Sequence, residues 1–264
     1  MDASFAAVST VKREAPGRYQ AHVPPGWEQG RGIYGGLVFA LLARAIEAEA
    51  DPDRTIRSLS GEIPEPVPAG PLEIEVERIR RGSSLSNYRA TIQHAGQVKA
   101  QTSAIVAAAR EVDLTVAVDP PSIRPWKDAP KVEVPPGIGP PFASNFDFRP
   151  FEGLPFVGAK TARIEGWVQF KTPLSAIDVP AVAALADSYW PAWFSIVPGP
   201  RPMGTVAFTL QLTSKARALD PADPIYFRSW VDHAADGFVI ERRELWTGSG
   251  ELIAINPQTF VIIK

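Results

Sequence analysis

Two segments of this chain are apolar on every face of a helix, and neither is long enough to cross a membrane. The more telling one is DVPAVAALADSYWPAWF, residues 178–194. Asp178 is a good N-cap, and Pro180 falls in the first turn, where a missing N–H costs nothing. Val179 to Leu185 is apolar all round, which marks a helix buried inside a fold rather than lying on its surface. A membrane span needs about 20 such residues. Pro191 is expected to stop this helix one turn after Asp187. One carboxylate, Asp187, therefore sits near the C-terminal end of a buried helix, beside Tyr189, Trp190, Trp193 and Phe194. A charge there costs roughly several kcal/mol unless something pairs with it or uses it.

The counterpart is GGLVFALLARAIEAEA, opening at Gly35-Gly36. Leu37 to Ala43 is again apolar all round, and only Arg44 interrupts before the charged end. Strand patterns follow each helix. Residues 72–79, LEIEVERI, alternate as a half-buried strand does. Thr55 to Glu62 precedes it, and 85–94 and 97–109 form a hairpin at Ala95-Gly96. After the second helix come 204–213, 224–233, 237–247 and 251–263, with turns at Ala235-Asp236-Gly237 and Gly248-Ser249-Gly250. Arg163 to Lys171 is a strand ahead of that helix. Residues 1–34 read as an irregular lead-in with one short strand, Arg18 to His22. The order of helix, strand, long strand, turn and hairpin occurs twice, and Gly96-Gln97-Val98-Lys99-Ala100 lines up with Gly250-Glu251-Leu252-Ile253-Ala254. A repeat of about 110 residues is a whole domain, not a solenoid unit. Antiparallel strands curling round one greasy helix, done twice, make an α+β fold.

Between Pro120 and Pro155 lie 10 of the chain's 27 prolines, a density that excludes helix and removes ladder donors. The expected organisation is an N-terminal unit over 1–112, a Pro-rich linker or surface crossover over 113–160, and a C-terminal unit over 161–264. The chain has no cysteine, which removes disulfides, thiolate nucleophiles and cysteine metal sites together. A net charge of −2 disfavours nucleic acid and anionic membranes as partners. The first residues lack the uninterrupted apolar core of a signal peptide, so the expected location is cytoplasmic.

The order of motifs resembles the double hotdog thioesterases of the acyl-CoA thioesterase II (TesB-like) type. The residues that carry it are Ile33-Tyr34-Gly35-Gly36, Arg57-Ser58-Leu59 with the Pro64 to Pro71 turn, and Arg80-Arg81-Gly82-Ser83-Ser84-Leu85. In the second half they are Leu185-Ala186-Asp187, Gly204-Thr205, and Gly237-Phe238-Val239 leading to Gly250 through Gln258. The resemblance implies two hotdog units fused into one sheet and hydrolysis of an acyl-CoA thioester without a cofactor. It also implies a water activated by an Asp, a Ser or Thr, and a Gln, which fall on Asp187, Thr205 and Gln258. Ile56 or Ser58, and Ala104, stand where Thr205 and Gln258 fall in the other half, implying one working site per chain. Proteins of this type commonly assemble further, so a homodimer or larger oligomer is expected.

Each residue also has a plainer reading. Asp187 can bond nearby backbone or Trp N–H groups, and threonine is common in strands. Thr205 has the donor to give Asp187, and the Gln258 amide has two donors and one acceptor. Gly35-Gly36 admits a carbonyl to the N-terminus of the first helix, or simply lets the helix pack closely on the sheet. Arg80 and Arg81, with Arg78, enter a turn, where they reach coenzyme A phosphates or form a solvated face. Gly30 to Gly35 fits GxGxxG, yet Pro24-Pro25-Gly26 precedes it instead of a strand, which argues against a dinucleotide site. His22, His94 and His233 have no metal-binding spacing. A hotdog hydratase or dehydratase is the alternative enzyme, disfavoured because no histidine starts a central helix. An acyl or acyl-CoA binding protein without catalysis is the other alternative.

Overall fold

The computed structural model describes residues 3–134 and 137–263. In chain order the elements are α1 (Phe5–Val8), β1 (Lys12–Ala15), β2 (Arg18–Val23), β3 (Glu28–Gln29), β4 (Gly32–Ile33) and α2 (Gly35–Glu49). Then come β5 (Thr55–Glu62), β6 (Gly70–Arg81), β7 (Leu85–His94) and β8 (Gln97–Ala107). The second half holds β9 (Phe146–Glu152), β10 (Arg163–Phe170), α3 (Val179–Ala186), β11 (Met203–Leu212), β12 (Ile225–Ala235), β13 (Phe238–Trp246) and β14 (Leu252–Ile262). Twelve strands form one sheet in the order β1-β2-β6-β7-β8-β5-β11-β14-β13-β12-β10-β9, with β3 and β4 as a separate hairpin. Every pairing is antiparallel.

The alternation in the sequence sets which side of each strand faces in. On β6, Leu72, Ile74 and Val76 are buried while Glu73, Glu75 and Glu77 are exposed. The buried faces close over α2 and α3. All eight residues of α3 are buried, as is α2 from Gly35 to Ala43. The two helices run antiparallel. Arg44, late in α2, pairs with Asp178, the N-cap of α3, while Gly35 and Gly36, at the start of α2, meet Asp187 at the other end of α3.

The halves join where β5 pairs with β11, setting Leu59 opposite Leu210 and Gly61 opposite Phe208. Across this seam Phe39 of α2 stacks on Phe208 of β11, with centroids 4.2 Å apart. Gly61 is required there, since a Cβ on it would come within 2.3 Å of the Gln101 carbonyl oxygen and 2.6 Å of the Phe39 ring.

Four sequence expectations change. The lead-in is more ordered than one short strand, because α1, β1, β3 and β4 also form. The second helix ends at Ala186, four residues short of the last position before Pro191. Asp187 is its C-cap, with φ −106° and ψ 6°; its N–H turns back to the Ala184 carbonyl, and the Ser188 N–H to that of Leu185. The 113–160 segment is not linker throughout, since Phe146–Glu152 is the edge strand β9. Pro150 is tolerated there because an edge strand leaves one set of N–H positions unpaired. Finally, the strands drawn over 72–79 and 97–109 run instead over Gly70–Arg81 and Gln97–Ala107. The linker covers the outer face of the second half: Trp167 donates to the Arg124 carbonyl at 2.9 Å, and Trp126 meets it edge-on.

Candidate active site

Asp187 stands where α3 ends and α2 begins, 6% exposed. Its two oxygens have different surroundings. Oδ1 accepts from Gln258 Nε2 at 2.9 Å and from Arg243 Nη1 at 3.1 Å. Oδ2 faces the opening of α2, where a Cβ built on Gly35 would lie 2.8 Å away. The Gly36 N–H also interacts favourably with the carboxylate. The paired glycines therefore let the start of α2 lie close against the end of α3 and bring a helix N-terminus to the acid. Burial raises the Asp187 pKa above the usual carboxylate range, opposed by Arg243, Gln258 and the Gly36 N–H.

Strand parity delivers the partners. On β14, Asn256, Gln258 and Phe260 face inward. Gln258 Nε2 donates to both Asp187 Oδ1 and Asn256 Oδ1, the latter at 2.7 Å. Both amide hydrogens are thus committed, and only Oε1 remains to accept. Thr205 Oγ1 donates to that Oε1 at 3.4 Å. The donation expected from Thr205 to Asp187 is not made; Thr205 touches Gln258 instead. Thr205 reaches the site through a bulge. Thr205 pairs with Phe260 and Ala207 with Thr259, so Val206 is the extra residue. Counting by twos from Phe208 and Leu210 would turn Thr205 away, and the bulge turns it back.

Two charged residues of the site were not singled out in the sequence. Arg243 is 1% exposed and Glu241 is fully buried. Arg243 Nε donates to Glu241 Oε1 at 2.8 Å, and its Nη1 also reaches the Ala186 carbonyl at 3.1 Å. Glu241 Oε2 accepts from the Ala192 N–H at 2.7 Å, which anchors the turn after α3. The signal was present in Val239-Ile240-Glu241-Arg242-Arg243-Glu244-Leu245. Val239 and Leu245 are core residues of the same parity as Glu241 and Arg243, so these two charges had to point inward.

Arg80 and Arg81 are not brought to this place. Arg81 pairs with Asp51 at 3.2 Å, just past the C-terminal end of α2, and Arg54 and Arg78 gather on the same carboxylate. Arg80 is exposed on the same strand end. Asp187 lies at the opposite end of that helix, about 20 Å away at 1.5 Å per residue. At the pseudo-equivalent place in the first half, Arg44 and Asp178 form an ion pair where the second half has its acid. Glu47 beside them is raised to about 7 by burial and by Asp178. Ala104 is buried on β8 and has no side-chain polar group. His22, His94 and His233 lie on β2, β7 and β12, none of them among the residues that bond Asp187.

A continuous antiparallel sheet wrapped round two antiparallel helices, made from two similar halves, is the double hotdog fold. A hot dog fold protein of unknown function from Alicyclobacillus acidocaldarius superposes with a TM-score of 0.86 at 22% identity, covering 98% of each chain. The tesB protein of Mycobacterium avium subsp. paratuberculosis gives 0.83 at 16%, and the acyl-CoA thioesterase II TesB2 of Mycobacterium marinum gives 0.79 at 18%, each covering 98% of both chains. No curated protein sequence matches. Residues 23–110 match the acyl-CoA thioesterase N-terminal domain and residues 119–262 the acyl-CoA thioesterase C-terminal domain. The chain belongs to the acyl-CoA thioesterase family and is a thioester hydrolase. No helix among the described residues is long and apolar enough to cross a membrane.

One consequence of the glycine geometry is directly measurable. Gly35→Ala replaces a poor helix former with the best one, which favours the helix by about 1 kcal/mol. The new methyl would press on Asp187 Oδ2. The expected outcome is a Tm near that of the parent with kcat reduced at least about 100-fold, the scale on which a misplaced reacting group costs. Steady-state hydrolysis and thermal melting check it, and unchanged kcat would show that nothing reacts beside Oδ2.

Proposed function

We propose that the protein hydrolyses an acyl-CoA thioester with a water molecule held by Asp187, Thr205 and Gln258, all from the C-terminal half, 161–264. The observation that supports this most is the asymmetry of Asp187. One oxygen is taken up by Gln258 and Arg243, and the other is turned to the N-terminus of α2. A water on Oδ2 gives its proton to Asp187 as its oxygen attacks the thioester carbonyl. Gln258 Oε1 is the acceptor left for the second water hydrogen, and Thr205 steadies that amide. Gln258 has no donor left for the oxyanion. That task falls to the start of α2, whose dipole favours negative charge. Leu37 and Val38 N–H turn back to the Tyr34 carbonyl, and we assign the Gly35 N–H to the thioester oxygen. The tetrahedral intermediate then collapses with cleavage of the C–S bond, and the coenzyme A thiolate leaves as the weaker base. Asp187 returns its proton to the thiolate or to solvent. The acyl chain lies along the apolar interior between the halves.

The test is thiol release from a panel of short, long and aromatic acyl-CoAs followed across pH. Asp187 must be ionised to take a proton, and burial holds its pKa up. Activity is therefore expected to be lost as pH falls, with a midpoint above the ordinary aspartate value of about 4. Absence of hydrolysis across the panel, or a rate flat down to about pH 4, would defeat the reading.

A further inference from the structure

The buried centre contains more charge than the proposed chemistry needs. Around Asp187, the ionisable groups are Arg243 and Glu241 on β13 and Tyr34 at the start of α2, while β11 and β14 contribute only the neutral Thr205, Asn256 and Gln258. Tyr34 stays neutral, because burial and Asp187 both push its pKa well up. Two carboxyl groups thus share one guanidinium in a place with almost no solvent contact. Arg243 is held at two of its nitrogens and over an aromatic ring. Its Nε is on Glu241, its Nη1 on Asp187 and the Ala186 carbonyl, and its Cζ lies 5.2 Å from the Phe260 ring centre.

We propose that Arg243 and Glu241 are positioning residues that set the protonation of Asp187: Arg243 holds it ionised and fixes its Oδ1, and Glu241 holds part of the guanidinium charge away from it. The inference rests on Asp187 being the proton acceptor. Two physical facts support it. A buried carboxylate stays charged at neutral pH only with a close opposite charge or several donors. Of the donors to Oδ1, Arg243 alone carries charge. Glu241 competes for that same charge through a shorter contact, 2.8 Å against 3.1 Å. Its other oxygen secures the Ala192 N–H, so the acid also ties Arg243 to the turn that follows α3. Acid, cation and acid then work as one coupled unit whose pH behaviour belongs to the group.

The two residues are predicted to act in opposite directions. In Arg243→Met both acids lose their counter-charge, so the acid limb of kcat/KM moves up by at least about one pH unit. At pH 7 the rate falls at least about tenfold and recovers by about pH 9. Arg243→Lys keeps the charge and returns the limb toward the parent. In Glu241→Gln the guanidinium serves Asp187 alone and a neighbouring negative charge is gone, so the limb moves down. A purely structural role predicts lower activity with the limb unmoved in all three variants, and that result overturns the proposal. So does an upward shift in Glu241→Gln. If Arg243→Met does not fold, the direction of the Glu241→Gln shift decides alone, supported by the ¹³Cγ titration of Asp187 in the parent and in that variant. Asp187→Asn run alongside separates the two readings. Full activity in it removes the proton acceptor, whereas an inactive Asp187→Asn with immobile limbs elsewhere removes only the positioning role.

Discussion

Asp187→Asn is expected to abolish turnover while leaving the protein as stable as its parent, or more so. Loss of a general base costs about 10²–10⁴ in rate. Asn also keeps an oxygen for Gln258 and Arg243, so those two hydrogen bonds survive, and only the acceptor facing the start of α2 is lost. The stability follows from the charges. Asp187 and Glu241 are both buried, and burial raises both pKa values. An acid whose folded-state pKa is raised binds its proton more tightly in the folded chain. Its contribution is full below the unfolded value and is lost as pH rises through the raised one. Near pH 8 the parent therefore carries the full cost of ionising Asp187, and the Asn variant does not. Arg243 is not left unpaired, because Glu241 remains. The Tm difference between variant and parent should grow in the variant's favour from pH 5 to pH 8. Calorimetry at both values, with thiol release beside it, tests the pair of statements. A variant that melts about 5 °C lower, on the scale where a kcal/mol shifts a chain of this size by a few degrees, would mean that Asp187 is there to hold the fold. Retained turnover would mean that the reaction happens elsewhere.

The second large effect is expected at the seam. Phe208 is 1% exposed and stacks on Phe39 from the other half. Phe208→Ala removes a buried ring and leaves a cavity, at a cost of about 3–5 kcal/mol. For a chain of this length the Tm should fall by roughly 10 °C. Neighbours cannot close the gap easily, because the ring packs between a helix and the β5–β11 pairing that joins the halves. Activity per folded molecule should fall too, since β11 also carries Thr205. A loss below about 1 kcal/mol would show that the halves do not depend on this contact.

Much of this architecture could be read from residue order. Two helices apolar on every face had to be central, since nothing else hides such a surface. Residues 72–77 declared their buried side by strict alternation, and the turns at Ala95-Gly96 and Asp236-Gly237 adopt positive φ, 50° and 74° in the first and 55° and 82° in the second, as tight hairpins require. Asp187 was legible as a costly acid, and the resemblance paired it with Thr205 and Gln258. Arg243 and Glu241 were legible in principle, by parity with Val239 and Leu245. Arg242 and Glu244 interleave with them, so charge falls on both faces of the strand and the polar–apolar contrast is lost.

Three features lay beyond the reach of pattern. The end of α3 is set by Asp187 itself, whose carboxylate is drawn to the start of α2, a contact between residues 151 positions apart in the chain for Gly36. Thr205 faces inward only because of the bulge at Val206, and a bulge arises from a register difference between two strands, not from either strand's composition. Arg81 is drawn to Asp51, with Arg80 exposed beside it, because β6 ends beside the end of α2, far from Asp187. Local sequence governs periodicity and turns, because those depend on neighbouring side chains and backbone angles. It does not govern which oxygen of Asp187 is occupied. That was decided by β13, β14 and the opening of α2 converging on one carboxylate, and such convergence exists only once the distant segments have packed.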